Sequence, residues 1–275
     1  MKLAALLMVF GVLWILAWWN YSGKFVVMAP AVTYYFNSNA ETEGQAEVLY
    51  AVKLAHLYHT GSIAVGAFII ACVEFIRLVF LYFARKAEQA SGGNKLVKAI
   101  VCVAECILKC IEKICDYINE SAFAYIAITG DGFCEGAWKG FLLNVKHTLE
   151  FTFANWIAKI FILLGKVAVT VVNCFMLVFI MKEITGVADQ LHSIWGPVAL
   201  TALITWLCAS LFLGIFENAV LALMMCLAAD RDLHDGEPKY GPPTFHDGID
   251  KVAGHGQKDV DEGDSDDDKK ANTMA

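Results

Sequence analysis

Four long runs of apolar residues dominate the chain, and each exceeds the length that a helix needs to cross a bilayer. They extend from Leu3 to about Phe36, Val48 to Phe83, Phe151 to Met181 and Trp195 to Ala228. A crossing takes about 20 residues, since each adds about 1.5 Å across a hydrocarbon layer of roughly 30 Å. The pattern predicts an all-α, multi-pass membrane protein with four long transmembrane helices.

The first run contains a polar stretch that predicts a broken helix. Residues 20–24 read NYSGK, and Pro30 follows. Hydrocarbon cannot satisfy backbone groups exposed by a break, so we expect this stretch to line a cavity or to be covered by protein. Discontinuous helices are typical of substrate sites in transporters.

A different pattern occupies residues 95–118, between the second and third runs. Apolar residues recur at helical spacing, and the opposite face carries Lys98, Glu105, Lys109, Glu112, Lys113 and Asp116. This pattern predicts an amphipathic helix. We expect it to lie at the cytoplasmic membrane interface.

The composition supports these predictions and sets the end of the membrane region. The chain is 58% hydrophobic and 18% charged, outside the usual balance of a soluble domain. The net charge of −7 reflects residues 259–268, which include seven acidic side chains. We therefore predict a transmembrane domain over residues 1–229 and a disordered, acidic cytoplasmic tail over residues 230–275.

The distribution of basic residues predicts the orientation. The stretch from Arg85 to Lys146 contains eight Lys or Arg, whereas residues 37–47 contain three Glu and no basic residue. By the positive-inside rule, the first stretch is cytoplasmic and the second faces outward. With four crossings, both termini are expected in the cytoplasm.

Charged residues within the apolar runs are candidates for function, because each costs about 2.5–3.5 kcal/mol at a helix centre. Counting inward from the helix ends places Glu74, Lys159 and Glu217 at one depth, with Arg77 one turn away. The hypothesis is a charge layer that closes the inner end of a substrate path. The alternative is a structural lattice of ion pairs, or long side chains that reach the headgroups.

Two further residues carry weaker expectations. Lys166 lies midway along the third run, where a partner or a water-filled cavity is expected. His59, near the outer end of the second run, is a candidate proton-sensitive group, with a hydrogen-bonded structural role as the alternative.

Motifs of enzymes are not found in the sequence. It has no Gly-rich phosphate loop, HExxH motif or nucleophile elbow, and no CxxC pair that suggests zinc. We expect neither an enzyme nor a metal, a cofactor or a nucleic-acid partner.

Several stretches resemble one family when read in order. They include YHTGSIAVGAFIIACVEFIRLV, EKICDYINESAFAYIAI followed by GFC, and SLFLGIFENAVLALMMCLAADRDLHDGEP. They are similar to the C-terminal half of the choline transporter-like proteins, over roughly residues 24–238. The resemblance implies a multi-pass protein of the cell membrane, with cytoplasmic ends, that moves choline or in some cases ethanolamine. It also implies that a missing N-terminal half or a partner subunit completes the transporter.

Choline recognition requires aromatic faces and a nearby carboxylate. The candidate substrate-binding residues are Glu74, Glu217, Trp206 and Tyr58. The predicted function is transport of choline or a related cation such as ethanolamine. The alternative is a truncated, non-transporting membrane subunit or scaffold protein.

Overall fold

The computed structural model describes residues 2–39, 41–90, 95–184 and 193–242, together with 245 and 248. Within these ranges the chain forms helices and no strand. The α-helices are α1 (Lys2–Asn37), α2 (Val48–Lys53), α3 (Thr60–Ala90), α4 (Lys95–Thr129), α5 (Phe133–Lys146), α6 (Thr148–Phe179) and α7 (Trp195–Leu233). Two π-helical turns, Leu54–Tyr58 and Ile180–Ile184, follow α2 and α6.

Four of these helices are long and apolar enough to cross a membrane. Their apolar segments are Ala4–Asn37, Thr60–Ala90, Phe151–Glu183 and Trp195–Leu233. The predicted all-α class and the four long membrane helices are thereby confirmed.

The chain divides into two compact units, which we describe separately. Unit 1 comprises Met1–His147 and Met225–Pro242, and unit 2 includes Thr148–Met224. Helix α7 thus contributes its last turns to unit 1.

Unit 1 is built on α1, α3 and α4. Helices α1 and α3 are antiparallel, because the ring of Phe10 meets Phe68 and Phe75 at 5.6 Å each, and Phe25 meets His59. Helix α4 is antiparallel to α3 in turn. Its Asn119 side chain donates a hydrogen bond to the Gly66 carbonyl at 3.0 Å, and Lys98 lies 3.9 Å from Glu88.

Glycines allow the close packing of this unit. A Cβ added at Gly66 would lie 2.6 Å from a ring carbon of Phe123, and one at Gly140 would lie 2.8 Å from the backbone oxygen of Ser121. Such distances are shorter than real Cβ contacts. Helix α3 therefore packs closely on α4, and α5 packs closely on the backbone of α4.

The predicted break in α1 is wrong. The helix is continuous over 36 residues, through both the polar stretch and Pro30. Two polar side chains of the stretch find partners on α4: the Tyr21 hydroxyl donates to Asp116, and the Lys24 ammonium lies 2.6 Å from Glu120. Because Tyr21 and Lys24 are satisfied across the helix packing, they do not require the backbone to unwind.

The predicted amphipathic helix is present, but its packing differs from the expectation. It continues to Thr129, beyond the predicted end at residue 118. Its apolar face is outward, with exposed fractions of 62% at Ile100, 56% at Ile107 and 58% at Ile114. The carboxylates of its second half instead lie against α1 and α3. Location of this helix at the membrane interface stays a prediction.

Two hydrogen bonds contradict part of the predicted orientation. The Tyr35 hydroxyl, at the end of α1, donates to Asp230 at 3.2 Å, and the Gly241 amide donates to the Ser38 carbonyl at 3.1 Å. The prediction placed residues 37–47 outside and the chain beyond residue 229 in the cytoplasm. Segments that share hydrogen bonds cannot lie on opposite sides of a hydrocarbon layer of roughly 30 Å.

The same contacts correct the predicted disordered tail. Helix α7 continues to Leu233. Asp230 is fully buried, and its carboxylate accepts hydrogen bonds from the amides of Lys239 and Tyr240 at 2.9 and 2.8 Å. We call this group of contacts around Asp230 the carboxyl-terminal clasp. The rest of the predicted tail, including residues 259–268, lies outside the described residues apart from 245 and 248.

Unit 2 contains the antiparallel pair α6 and α7. A Cβ at Gly165 would lie 3.2 Å from Leu213, and the Lys159 ammonium lies 3.7 Å from the Glu217 carboxylate. Much of the surface of this pair is exposed and apolar, including Phe161, Phe175, Leu211 and Phe212. Such a surface is typical of helices surrounded by lipid.

Candidate cation site

Charged and polar side chains meet where α1, α3 and α4 pack together. We call this group the acid-rich seam; it comprises Tyr21, Lys24, Glu74, Arg77, Glu112, Asp116 and Glu120. Its four carboxylates outnumber its two basic side chains. When every member is ionised, the seam therefore has an excess of negative charge within the helix packing.

The helix periodicity explains why these residues converge. Glu112, Asp116 and Glu120 are four residues apart, so they lie on one face of α4. The face meets Tyr21 and Lys24 of α1 and Arg77 of α3. Arg77 donates to Glu112 in an ion pair whose side chains are 29% and 22% exposed. Both basic groups of the seam are thus already matched to a carboxylate.

Glu74 and Asp116 are the two seam carboxylates without a basic partner among the described residues, and Asp116 accepts the Tyr21 hydroxyl. Glu74 lies within electrostatic range of Glu112, Asp116 and Arg77. Across the described parts of the chain, no hydrogen bond or ion pair to Glu74 is found. A half-buried carboxylate beside two others is well placed to attract a cation.

Neutral polar groups continue from the seam along α4. Asn119 and Ser121 are buried, and Asn144 of α5 donates a hydrogen bond to the Ser121 hydroxyl. On α1, Ser22 is 5% exposed and its hydroxyl has no hydrogen-bond partner among the described residues. The packing of unit 1 therefore contains more polar groups than the charged pairs alone.

The predicted charge layer is divided between the two units. Lys159 and Glu217 form an ion pair within unit 2, with the ammonium 3.7 Å from the carboxylate. Arg77 and Glu74 lie in unit 1, where Glu112 is the partner of Arg77. A common layer of all four residues stays a prediction.

The other two predicted substrate ligands are Tyr58, in unit 1, and Trp206, in unit 2. Tyr58 is 67% exposed, and the 16 residues that separate it from Glu74 correspond to about 24 Å of helix. One small cation cannot touch both. Trp206 lies on α7 in unit 2, where it is 38% exposed. Its role in binding stays a prediction.

His59 and Lys166 also occupy different surroundings. His59 is 8% exposed and packs against Phe25, directly after the π-helical turn. Lys166 is half-buried on α6, and the described residues offer it no ion-pair partner. Neither the proton-sensitive role of His59 nor the expected partner of Lys166 is tested by these positions.

The sequence reasoning missed the carboxylates of α4. It assigned Glu112 and Asp116 to a water-facing surface, because a polar face usually faces solvent. A signal was nevertheless present: the acidic residues keep a four-residue spacing up to Glu120, where a nearly uncharged stretch begins. Within α1, Tyr21 and Lys24 have a complementary spacing of three.

These observations define a polytopic helical membrane protein with an acid-rich seam inside one of its helix packings. The chain belongs to the plasma-membrane choline transporter family, whose family model matches residues 1–232.

Two similar relatives are named choline transporter-like proteins. The chain is 28% identical to choline transporter-like protein 5 of Xenopus tropicalis over 246 residues, which is 86% of this chain and 34% of that protein. It is 28% identical to choline transporter-like protein 1 of Mus musculus over 233 residues, 84% of this chain and 34% of the relative. The chain thus spans about a third of the length of these relatives.

Proposed function

We propose that this chain forms part of a plasma-membrane transporter for choline or a similar small organic cation. The acid-rich seam is the observation that carries the proposal. A cation that leaves water needs compensating negative charge, and here four carboxylates share two basic partners. Because the chain matches only a third of its relatives, we assign transport to a longer protein or an assembly.

Within this proposal α4 is a fifth crossing helix. The clasp joins the end of α1 to the end of α7, so an even number of crossings must separate those two points. Helices α3, α6 and α7 supply three. Helix α4 runs parallel to α1 and antiparallel to α3, extends about 52 Å, and can supply the fourth.

The exposed isoleucines of α4 support this assignment, whereas the Lys98 and Lys109 side chains, 76% and 52% exposed, run against it. A helix that crosses lipid directs apolar residues outward and its polar groups toward other helices. The family resemblance implies a cytoplasmic carboxyl terminus, so residues 37–47 share that side and Lys2 lies on the other. Arg85 and Lys98 are then external, against the usual positive-inside tendency.

Epitope tags test this orientation. We expect a tag after residue 242 to be accessible in intact cells only after permeabilisation, and a tag at the amino terminus to be accessible without it. If both tags were accessible from the same side of the membrane, the fifth crossing would be contradicted. That result would leave the role of the seam in transport open to its own test.

Uptake measurements test transport. The chain would replace the matching third of Mus musculus choline transporter-like protein 1, and uptake of radiolabelled choline into proteoliposomes would be compared for the parent chimera, Glu74→Gln and Glu105→Gln. Glu74 is suitable because its neutralisation leaves both ion pairs of the seam intact. Glu105 is the matched control on α4, paired with Lys109 at 3.0 Å.

We expect Glu74→Gln to lower uptake about tenfold, equivalent to about 1.4 kcal/mol, and Glu105→Gln to leave it unchanged. Equal uptake by the parent chimera and Glu74→Gln would contradict a role for the seam. A parent chimera that folds and inserts into the proteoliposomes but moves no choline would favour the non-transporting subunit or scaffold. Competition by ethanolamine in the same assay defines the range of cations.

A further inference from the structure

A shallow, open apolar cavity lies between α1 and α3 in unit 1, and two of its lining residues are exposed, Trp14 to 38% and Ile15 to 65%. Its lining consists of Trp14, Ile15, Trp18 and Ala64, and its volume is about 250 Å³. All four residues are uncharged, and the two indoles provide the largest surfaces. The cavity is therefore an aromatic one without an ionised group of its own.

The indoles are held in place by neighbouring groups. The Trp14 indole N–H donates to the Ala64 carbonyl at 3.1 Å, and its ring meets Phe68 edge to face at 5.4 Å. The ring of Trp18 meets that of His56 at 6.3 Å. Fixed aromatic rings lose little freedom when a ligand binds, which favours affinity.

The cavity lies next to the acid-rich seam along α1. Trp14, Trp18 and Tyr21 are spaced by four and three residues, so they share one face of the helix. Tyr21 donates to Asp116 of the seam. Only about 4.5 Å along the helix axis separates Trp18 from Tyr21, so the seam supplies negative potential close to the aromatic cavity.

This combination selects a class of ligand. An anion would meet the carboxylates, and a sugar or a primary amine would leave its donors without acceptors in an apolar lining. A quaternary trimethylammonium group has a positive charge and no N–H donor, and aromatic faces bind it. We propose that Trp14 and Trp18 form a binding site for a trimethylammonium group, a step that rests on the proposed function and locates its ligand.

Free choline and the headgroup of phosphatidylcholine both carry this group. Purified chimera is therefore placed in nanodiscs of phosphatidylethanolamine and phosphatidylglycerol, which lack trimethylammonium, and binding of radiolabelled choline is measured. Tetramethylammonium and uncharged 3,3-dimethyl-1-butanol serve as competitors. The variants are Trp14→Leu, Trp18→Leu, the conservative Trp14→Phe and Trp18→Phe, and Trp156→Leu as an exposed control in unit 2.

Each leucine variant is expected to weaken choline binding about tenfold, and each phenylalanine variant to weaken it less, within the range of cation–π contributions. Tetramethylammonium should compete, and Trp156→Leu should bind like the parent. Repeating the assay in phosphatidylcholine nanodiscs separates the two sources of the group. The lipid headgroup is the ligand if choline binds more weakly there and if native mass spectrometry shows phosphatidylcholine bound to the parent but not to Trp14→Leu. Unchanged choline binding identifies free choline.

The proposal is overturned when both leucine variants bind choline like the parent. It is equally overturned when the uncharged alcohol competes as well as tetramethylammonium, because the cavity then accepts any apolar group, such as a lipid chain. If Glu74→Gln abolishes choline binding while the tryptophan variants bind like the parent, the seam binds the cation and the proposed aromatic site is wrong. If the leucine variants fail to fold, the phenylalanine variants test the proposal. Choline binding equal to the parent in both Trp14→Phe and Trp18→Phe would contradict a cation–π site.

Discussion

Units 1 and 2 both place charged side chains in long apolar helices, but they surround those charges differently. In unit 1, Arg77 and Glu112 are mostly buried within a packing of three helices. In unit 2, Lys159 and Glu217 face each other across two helices, with side chains 58% and 47% exposed. A third helix that presents its polar face inward is what turns an exposed pair into a sheltered network.

Removal of one member of a sheltered ion pair is expected to cause the largest loss of stability. Glu112→Gln removes the carboxylate that pairs with Arg77, although Glu74 stays within electrostatic range. An uncompensated buried charge costs about 3–5 kcal/mol. We expect a loss near the lower end of that range in the free energy of unfolding, measured by denaturant titration in mixed micelles. The double variant Arg77→Met with Glu112→Leu should recover most of the loss. A single variant as stable as the parent would show that the pair is not sheltered.

A second prediction concerns the close helix contacts of unit 1. Gly140→Ala places a Cβ against the backbone of Ser121, which cannot rotate away, and we expect a loss of about 1–3 kcal/mol. Gly61→Ala is the control, since nothing lies within 4 Å of its added Cβ. That substitution should leave stability unchanged or raise it by about 0.5–1 kcal/mol. Equal melting temperatures of the two variants would contradict close packing of α5 on α4.

The clasp allows a third prediction. Asp230→Asn keeps the size of the side chain but weakens hydrogen bonds to the amides of Lys239 and Tyr240, so residues 234–242 should detach more often. We expect protease cleavage in this segment to accelerate about tenfold, equivalent to about 1.4 kcal/mol. Tyr35→Phe removes one donor and should have a smaller effect. Cleavage at the parent rate in Asp230→Asn would show that the clasp does not hold the segment.

The smallest expected effect belongs to unit 2. Glu217→Gln removes an exposed ion pair, which contributes about 0–1 kcal/mol. Its free energy of unfolding should therefore stay within about 1 kcal/mol of the parent. A loss as large as that of Glu112→Gln would erase the difference between the units and indicate that Lys159 is sheltered in the membrane.

The sequence predicted the helices well because apolar length and periodicity are local properties. The Lys159 and Glu217 pairing was also predictable, since both positions were counted from the shared connection of one helical hairpin. Glu74 received a similar depth, but equal depth does not identify neighbours on different helices. Counting residues along the helices therefore could not identify the charged groups of α4 that lie near Glu74.

The position of α4 was not predictable from its periodicity. Hydrophobic periodicity shows that a helix has two faces, but not which face meets protein. For a helix at a water boundary the polar face is outward, whereas within lipid the preference reverses. The break expected in α1 failed for the same reason, because the partners of Tyr21 and Lys24 are on a helix whose charges had been assigned to water.

Under the proposed fifth crossing, the inward charges of α4 have a consequence for biosynthesis. Its three carboxylates at positions 112, 116 and 120 would each cost about 2.5–3.5 kcal/mol in the middle of a bilayer, so α4 would not partition into lipid alone. Tyr21, Lys24 and Arg77, which are made earlier in synthesis, must already be in the membrane to receive it. The translocation machinery is therefore expected to hold α1 and α3 until α4 emerges, and to release the three helices together.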